Sequence, residues 1–185
     1  MIKHSDININ MKTQNIKSKL EIKEPYPELY LIDADEKQAR SIIEILKQKK
    51  YCGKIAIFGR ENIFNRRALE TLKINYLISP EKELTEKRKD TLKQRDSGLN
   101  HVTAKIAEKN NIAIVIDFSD IQNINDKKQK ASRLSRIIQN IKICRKAKCK
   151  ILIWNLTNKI NKYSLQAFGF SLGMSSQQVS EAIKI

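Results

Sequence analysis

The chain has 185 residues, 41% of them hydrophobic and 30% charged, which is the composition of a globular protein long enough for one sizeable core. Its 36 Lys and Arg outnumber 20 Asp and Glu, and the formal net charge of +16 favours a polyanionic partner such as nucleic acid. No apolar run approaches the roughly 20 residues needed to cross a bilayer, and the N-terminus is polar, so we expect a cytoplasmic protein without a membrane partner.

The N-terminal half predicts a tail followed by alternating strands and helices. Residues 1–18 are polar and rich in Asn and Lys, which is typical of a flexible basic tail, and we expect a single domain over residues 19–185. A short strand is a candidate at residues 20–22, and clearer strands follow at 29–33, 54–58 and 74–78. Asp35 is placed to cap the first helix, and a second helix is predicted near residues 65–72.

The C-terminal half continues this alternation after a charged stretch at residues 81–95, predicted to be a solvated loop or loose helix. A helix follows from about residue 99, then a buried strand at 112–118, a long basic helix near 130–147, a strand at 151–155, and helices near 163–173 and 176–184. Five strands, or six with the candidate at 20–22, thus alternate with helices. That order predicts an α/β fold of parallel strands joined by right-handed crossovers.

Residues that could carry catalysis are sparse. The histidines are His4 and His101, and Cys52, Cys144 and Cys149 lack C-x-x-C spacing and are expected to be apolar fillers. Three aspartates lie near strand ends, where barrel enzymes place their catalytic groups: Asp33, Asp117 and Asp120. Because multinuclear metal sites need several His and Asp ligands, we expect these carboxylates to cap helices or pair with cations. We therefore predict no catalytic residue, no metal site and no cofactor bound by the protein itself.

The most informative stretch is residues 95–102, Arg-Asp-Ser-Gly-Leu-Asn-His-Val. Ser97 or Asp96 is predicted to cap the helix that follows, and Gly98 allows the backbone to bend or another group to approach. Asn100 and His101 are expected in the first helical turn, where free N–H groups attract anions. The corner therefore suits a phosphate. The alternative is an ordinary capped junction, with Asp96, Gly98 and Asn100 holding the turn.

This octet resembles the Arg-Asp-(Ser/Cys)-Gly-(Leu/Ile)-Asn-His-Val signature of ribonuclease P protein component three, the archaeal relative of the eukaryotic thirty-kilodalton subunit. Further resemblances occur in the family's order at residues 65–68, 75–80, 132–136 and 168–174, so that together they cover roughly residues 29–184. The resemblance implies a TIM-like barrel similar to that of polymerase-and-histidinol-phosphatase phosphoesterases. Since an eight-stranded barrel takes about 250 residues, we expect this one to be shortened at its N-terminal end.

The resemblance also implies a function: a protein subunit of ribonuclease P, which binds the catalytic RNA and supports removal of the 5′ leader from precursor tRNA. In that family the RNA carries the catalytic centre with its Mg²⁺ ions. A small ferredoxin-like protein subunit is expected as a partner in a heterotetramer, with residues 164–173 as the predicted contact face. The alternatives are a metal-dependent phosphoesterase or nuclease using Asp117, and a general RNA-binding module.

The candidates for RNA binding are cationic residues, mostly arginines, because the guanidinium group can grip two phosphate oxygens at once. They are Arg60, Arg66, Arg67, Arg88, Arg95, His101, Arg133 and Arg136. Some have a structural alternative: a salt bridge within the fold for Arg66, a solvated charge for Arg88, and a packing role for His101.

Overall fold

The computed structural model describes residues 6–7, 12–82, 89–91, 94–157 and 160–183. Its centre is a parallel sheet of six strands that neighbour one another in chain order. The strands are β2 (Thr13–Ile16), β3 (Leu29–Ile32), β4 (Lys54–Phe58), β5 (Tyr76–Ile78), β6 (Ala113–Asp117) and β7 (Ile151–Trp154). A separate antiparallel pair joins β1 (Asp6–Ile7) to β8 (Ile160–Asn161).

Helices lie between the strands of the large sheet from β3 onwards, and two more follow its last strand. They are α1 (Glu36–Gln48), α2 (Asn62–Thr71), α3 (His101–Lys109), α4 (Phe118–Gln122), α5 (Lys127–Ala147), α6 (Lys162–Ser171) and α7 (Ser176–Ala182). Asp35 caps α1 as the sequence predicts, since its side chain accepts a hydrogen bond from Gln38 N at 2.8 Å. Among the described helices, none is both long enough and apolar enough to cross a membrane.

The sheet is apolar on both faces, and the two faces belong to different clusters. Successive residues of a strand point to opposite sides, so Ile114 packs among the helices whereas Val115 lies on the other face. That second cluster is formed by strand residues: Leu29, Leu31, Ala56, Ile78, Ala113, Val115, Leu152 and Trp154. All eight are buried although no helix contributes to their cluster. The strands therefore shield one another, as they do inside a β/α barrel, and the predicted TIM-like α/β class is confirmed. Within the described ranges β2 and β7 remain unpaired with each other.

One predicted strand is wrong. Residues 19–21, which overlap the candidate strand at 20–22, form a 3₁₀ helix, and the sixth strand is β2, within residues 1–18 that the sequence marks as a tail. β2 pairs with β3 along its whole length, from Thr13 opposite Leu29 to Ile16 opposite Ile32. Sequence reasoning missed it because an edge strand needs little apolar surface, and only Ile16 is buried here. Residues 1–5 and 8–11 of the predicted tail lie outside the described residues.

Candidate functional site

The signature loop, residues 95–100 leading into α3, is held by two amide side chains of α5. Gln139 accepts a hydrogen bond from Arg95 N at 2.7 Å and donates to the Arg95 carbonyl at 2.6 Å. It also donates to the hydroxyl of the buried Ser97 at 2.9 Å, while Asn140 donates to the Ser97 carbonyl at 2.9 Å. Because backbone groups of the loop are the main partners, α5 fixes the path of the chain rather than one side chain.

On its other side the loop is tied to α2 through Asn65, which is fully buried. The side-chain oxygen of Asn65 accepts a hydrogen bond from Arg60 N at 2.7 Å. Its nitrogen lies 2.9, 3.1 and 3.2 Å from the carbonyl oxygens of Arg60, Pro80 and Gly98. One amide thus joins the segments that follow β4 and β5 to the signature loop.

Gly98 and Asn100 form the turn into α3. Gly98 has φ of +74°, and a Cβ there would lie 1.9 Å from the Pro80 carbonyl oxygen, so the close approach is to the chain itself. Asn100 caps α3 in a reciprocal capping box with Thr103, each side chain accepting from the other's backbone N–H at 2.9 Å. The predicted cap at Ser97 or Asp96 is therefore wrong. Asp96 instead accepts from the Asn62 side chain at 2.9 Å.

Two of the predicted RNA-binding arginines are buried in ion pairs. The side chains of Arg133 and Arg136 are only 7% and 6% exposed. Arg133 bonds to Glu81 and Asp120, and Arg136 lies 2.9 Å from a carboxylate oxygen of Asp90. Burial alone would lower the pKa of Arg133, but the two adjacent carboxylates outweigh it and raise that pKa above its usual value. These arginines neutralise acidic groups inside the fold, and their placement does not support contact with RNA.

The other cationic candidates differ in exposure. Arg60 is partly buried and lies 2.9 Å from an oxygen of Asp33. Arg66 and Arg67 on α2 are 61% and 57% exposed, and they pair with Glu70 at 2.8 Å and Glu36 at 2.9 Å.

The remaining three candidates lie around the signature loop or beyond the described ranges. His101 is exposed at the first position of α3, next to α2, whereas Arg95 is partly buried, and Arg88 lies outside the described residues. The structure thus brings Arg66, Arg67 and His101 to the surface of two neighbouring helices.

A cavity of about 400 Å³ opens at the carboxyl ends of the strands, where β/α barrels usually place their chemistry. Asp33, Asp117 and Asp120 line it, and each is engaged. Asp117 caps α4 by accepting from Ser119, and burial raises the pKa of its carboxyl. Burial also tends to raise the pKa of Asp120, but Arg133 and Lys82 outweigh it and lower that pKa. The predicted capping and pairing of these carboxylates is confirmed.

Metal-ligating groups are dispersed in the part of the chain that the structure describes. No three His, Cys, Asp or Glu side chains come together there in an arrangement that could hold a metal ion. Within that part, the carboxylates at the cavity serve the fold's own caps and ion pairs.

The residues that sequence reasoning missed are three amides: Asn65 and Asn140, which are buried, and Gln139, which is partly buried. Their signal was a polar residue on an apolar helical stripe: Asn65 precedes Ala68 and Leu69 by three and four positions, and all three are buried. A buried polar side chain needs partners, so this pattern points to a tertiary hydrogen bond even when the partner is unknown.

Fold, charge and signature loop together define a basic protein of the TIM-like α/β class. Within that class the chain is similar to ribonuclease P protein component 3 of Methanocaldococcus jannaschii, with 29% identity over 130 residues, which are 70% of this chain and 50% of the relative. It is also 29% identical over 125 residues to the protein of that name from Methanococcus maripaludis, covering 65% of this chain and 48% of the relative. These similarities confirm the resemblance carried by the sequence motifs. The chain spans about half the length of the curated relatives it matches.

Among solved structures, the fold resembles a chain in the cryo-EM structure of archaeal ribonuclease P with mature tRNA. The TM-score is 0.65 at 24% identity, over 83% of this chain and 64% of the other. No family model matches the sequence.

Proposed function

We propose that this chain is a protein subunit of ribonuclease P that binds the catalytic RNA and supports removal of the 5′ leader from precursor tRNA in the cytoplasm. The observation that carries the proposal is the similarity to two curated proteins named ribonuclease P protein component 3. The net charge of +16 agrees with it, because cationic side chains offset the repulsion between phosphates when RNA helices approach each other.

In this proposal the protein is not catalytic by itself, and the RNA holds the reactive centre with its Mg²⁺ ions. Support comes from the carboxylates at the cavity, which already cap a helix or neutralise Arg and Lys. Of the RNA-contact candidates, Arg66, Arg67 and His101 have the exposure that such a role requires. Arg60, Arg88 and Arg95 are proposed as further contacts on the resemblance alone.

The proposal includes a second protein subunit, small and ferredoxin-like, in a heterotetramer. Exposed aromatic side chains on α6 are consistent with a docking face there: Tyr163 and Phe170 lie seven residues apart, which places them on one side of the helix. Phe170 falls within residues 164–173, the contact face predicted from the sequence, and Tyr163 directly precedes it.

Cleavage of 5′-labelled precursor tRNA tests the proposal. Three mixtures are compared at low Mg²⁺: this protein alone, cognate ribonuclease P RNA with the other subunits, and that mixture with this protein added. We expect cleavage only where the RNA is present and a higher rate when this protein is included. No change in rate on adding the protein would contradict the proposal.

Cleavage without RNA and a comparison of RNA binding separate the alternatives. Cleavage by the protein alone with Mn²⁺ or Zn²⁺, lost in Asp117→Asn, would establish a metal-dependent phosphoesterase instead. Binding that does not distinguish ribonuclease P RNA from an unrelated RNA of equal length would indicate a general RNA-binding module.

A further inference from the structure

A cluster of exposed lysines lies at the edge of the sheet opposite to the described aspartates. In a β/α repeat every strand runs in one direction and every helix returns, so helix C-termini lie at the edge where the strands begin. Ten exposed lysines lie at that edge, here called the lysine rim. They are Lys12, Lys47, Lys49, Lys50, Lys54, Lys73, Lys109, Lys146, Lys148 and Lys150.

Backbone hydrogen bonds place rim lysines at both ends of the sheet. Glu28 N donates to the Lys12 carbonyl at 2.9 Å, and Lys54 N donates to the Glu28 carbonyl at 2.8 Å. At the far end Ile114 N donates to the Lys150 carbonyl at 2.9 Å. Lysines therefore begin or precede strands at both ends of the sheet, and helix-end lysines lie between them.

The aspartates with described side chains lie at or near the opposite, carboxyl edge. They are Asp33, Asp35, Asp90, Asp96, Asp117, Asp120 and Asp126, which follow strands, cap helices or lie in the loop before α3. Several cations on that side form ion pairs with them, as in Arg60–Asp33, Lys82–Asp120 and Arg136–Asp90. A phosphate approaching that edge would meet these carboxylates as well.

The rim, in contrast, has cations in excess. Within the described ranges none of its ten lysines forms an ion pair. The glutamates at or near this edge are Glu24, Glu28, Glu70, Glu108 and Glu181, and of these Glu70 already pairs with Arg66. An exposed ammonium group without an acidic partner is available to neutralise a phosphate, which releases cations condensed on the polyanion.

The rim is also concave where a phosphate backbone could lie. A groove of about 640 Å³ between the end of α5 and the start of α7 is lined by Arg145, Lys148 and Lys150. Arg145 is anchored there, donating to Gln178 at 2.8 Å and to the Gly173 carbonyl at 2.6 Å. Lys148 and Lys150 are exposed beside it.

We propose that the lysine rim is the principal surface through which this chain binds the phosphate backbone of RNA, and that the carboxyl edge is not. The inference rests on the proposed function for the identity of the RNA. Lysines often follow helices because they complement the negative end of the helix dipole, and that explains Lys47, Lys109 and Lys146 without any ligand. It does not explain Lys12, Lys54 and Lys150, which lie at the starts of strands.

Two triple variants of the full chain test the location. The rim variant combines Lys54→Gln, Lys148→Gln and Lys150→Gln. The control combines Lys37→Gln, Lys127→Gln and Lys128→Gln, which remove the same charge from exposed lysines in the first turns of α1 and α5, at the carboxyl edge. The Kd for ribonuclease P RNA is measured by fluorescence anisotropy over a range of salt concentrations, and far-UV circular dichroism verifies folding.

At about 0.1 M salt the rim variant should raise Kd by about five- to eightfold for each lysine–phosphate interaction removed, with a decrease of about 0.7–0.9 in the salt slope. The control should stay within about twofold of the wild type, because screening limits the reach of exposed charges. Replacing the same rim lysines by Arg should restore binding. The proposal would be overturned if both triple variants lost RNA affinity equally or if only the control lost it. It would also be overturned if the wild type did not bind RNA.

A competitor RNA of equal length distinguishes this inference from the proposed function. If the rim variant binds both RNAs more weakly and the wild type does not discriminate between them, the rim stands and the ribonuclease P assignment fails. If the wild type prefers ribonuclease P RNA and both triples bind it equally well, the assignment stands and the rim is overturned.

Discussion

Replacing Asn65 with Ala should destabilise the protein far more than replacing any exposed asparagine. Its amide connects Arg60, Pro80 and Gly98, which belong to three segments distant in sequence, and the residue is fully buried. Removing it leaves a backbone N–H and up to three carbonyl groups without this partner. Unpaired backbone groups inside a protein are costly because water cannot replace the missing bond.

The structure sets the size of the effect. The Asn65 nitrogen has two hydrogens to share among its three carbonyl neighbours, so the side chain makes at most three full hydrogen bonds, including the one it accepts. At about 1 kcal/mol for each bond, the expected loss in the free energy of unfolding is about 3 kcal/mol. For a chain of 185 residues this corresponds to a Tm lower by about 6–12 °C.

Urea denaturation followed by far-UV circular dichroism measures this loss, and calorimetry gives the Tm. Asn62→Ala is the matched control, because Asn62 begins the same helix and its hydrogen bond to Asp96 is exposed, so that water can replace it. It should cost less than about 1 kcal/mol. If Asn65→Ala is no more destabilising than Asn62→Ala, the amide does not hold the signature loop and the reasoning fails.

Three further changes test the packing of the site. Gly98→Ala should prevent stable folding because its Cβ would overlap Pro80, whereas Gly173→Ala, with φ of +80° but open space, should cost only about 1–2 kcal/mol in urea denaturation. Arg136→Met should lower the free energy of unfolding by about 3–5 kcal/mol, because Asp90 loses its partner. The salt dependence of RNA binding should stay unchanged, whereas a smaller salt slope with normal stability would show that Arg136 contacts RNA. Burial raises the pKa of the Asp117 carboxyl in the folded protein, so ionising it costs the wild type stability as the pH rises above about 4. Asp117→Asn has no such group, and the Tm of this variant should therefore increase relative to that of the wild type over the same pH range. A Tm difference that does not change with pH would contradict this.

Sequence patterns predicted most of the sheet because its strands are buried on both faces and read as continuous apolar runs. β6 is the clearest case, with five buried residues in succession. β2 was missed because it is an edge strand with one buried residue, and nothing local distinguishes such a strand from a polar tail. Its position follows from its pairing with β3, which is a tertiary contact.

The roles of the arginines could not be read from sequence for a similar reason. Arg133 meets Glu81 across 52 positions, and Arg136 meets Asp90 across 46. Such pairs depend on how the loop after β5 lies against α5, whereas the pairing of Arg66 with Glu70 follows from helical spacing alone. Residue type gives the charge at each position, but burial and pairing decide which arginines remain available to bind phosphate.

The separation of charge in this protein follows from local preferences that the topology adds together. Aspartate favours helix N-caps, as at Asp35, Asp117 and Asp126, and lysine favours helix C-termini. In a parallel β/α sheet all crossover helices point the same way, so each local preference is repeated at one edge and becomes a property of the whole fold. Among the described residues the charge is therefore unevenly distributed, because the aspartates and several cations paired with them lie at one edge and ten unpaired lysines lie at the other. RNA bound mainly at the lysine rim would leave the signature loop and the cavity at the opposite edge, where Arg95 and His101 would make only secondary contacts. On this reasoning the main part of the signature loop is structural, so the Asn65 and Gly98 variants should lose stability, while any fraction that folds correctly should bind RNA with nearly unchanged affinity.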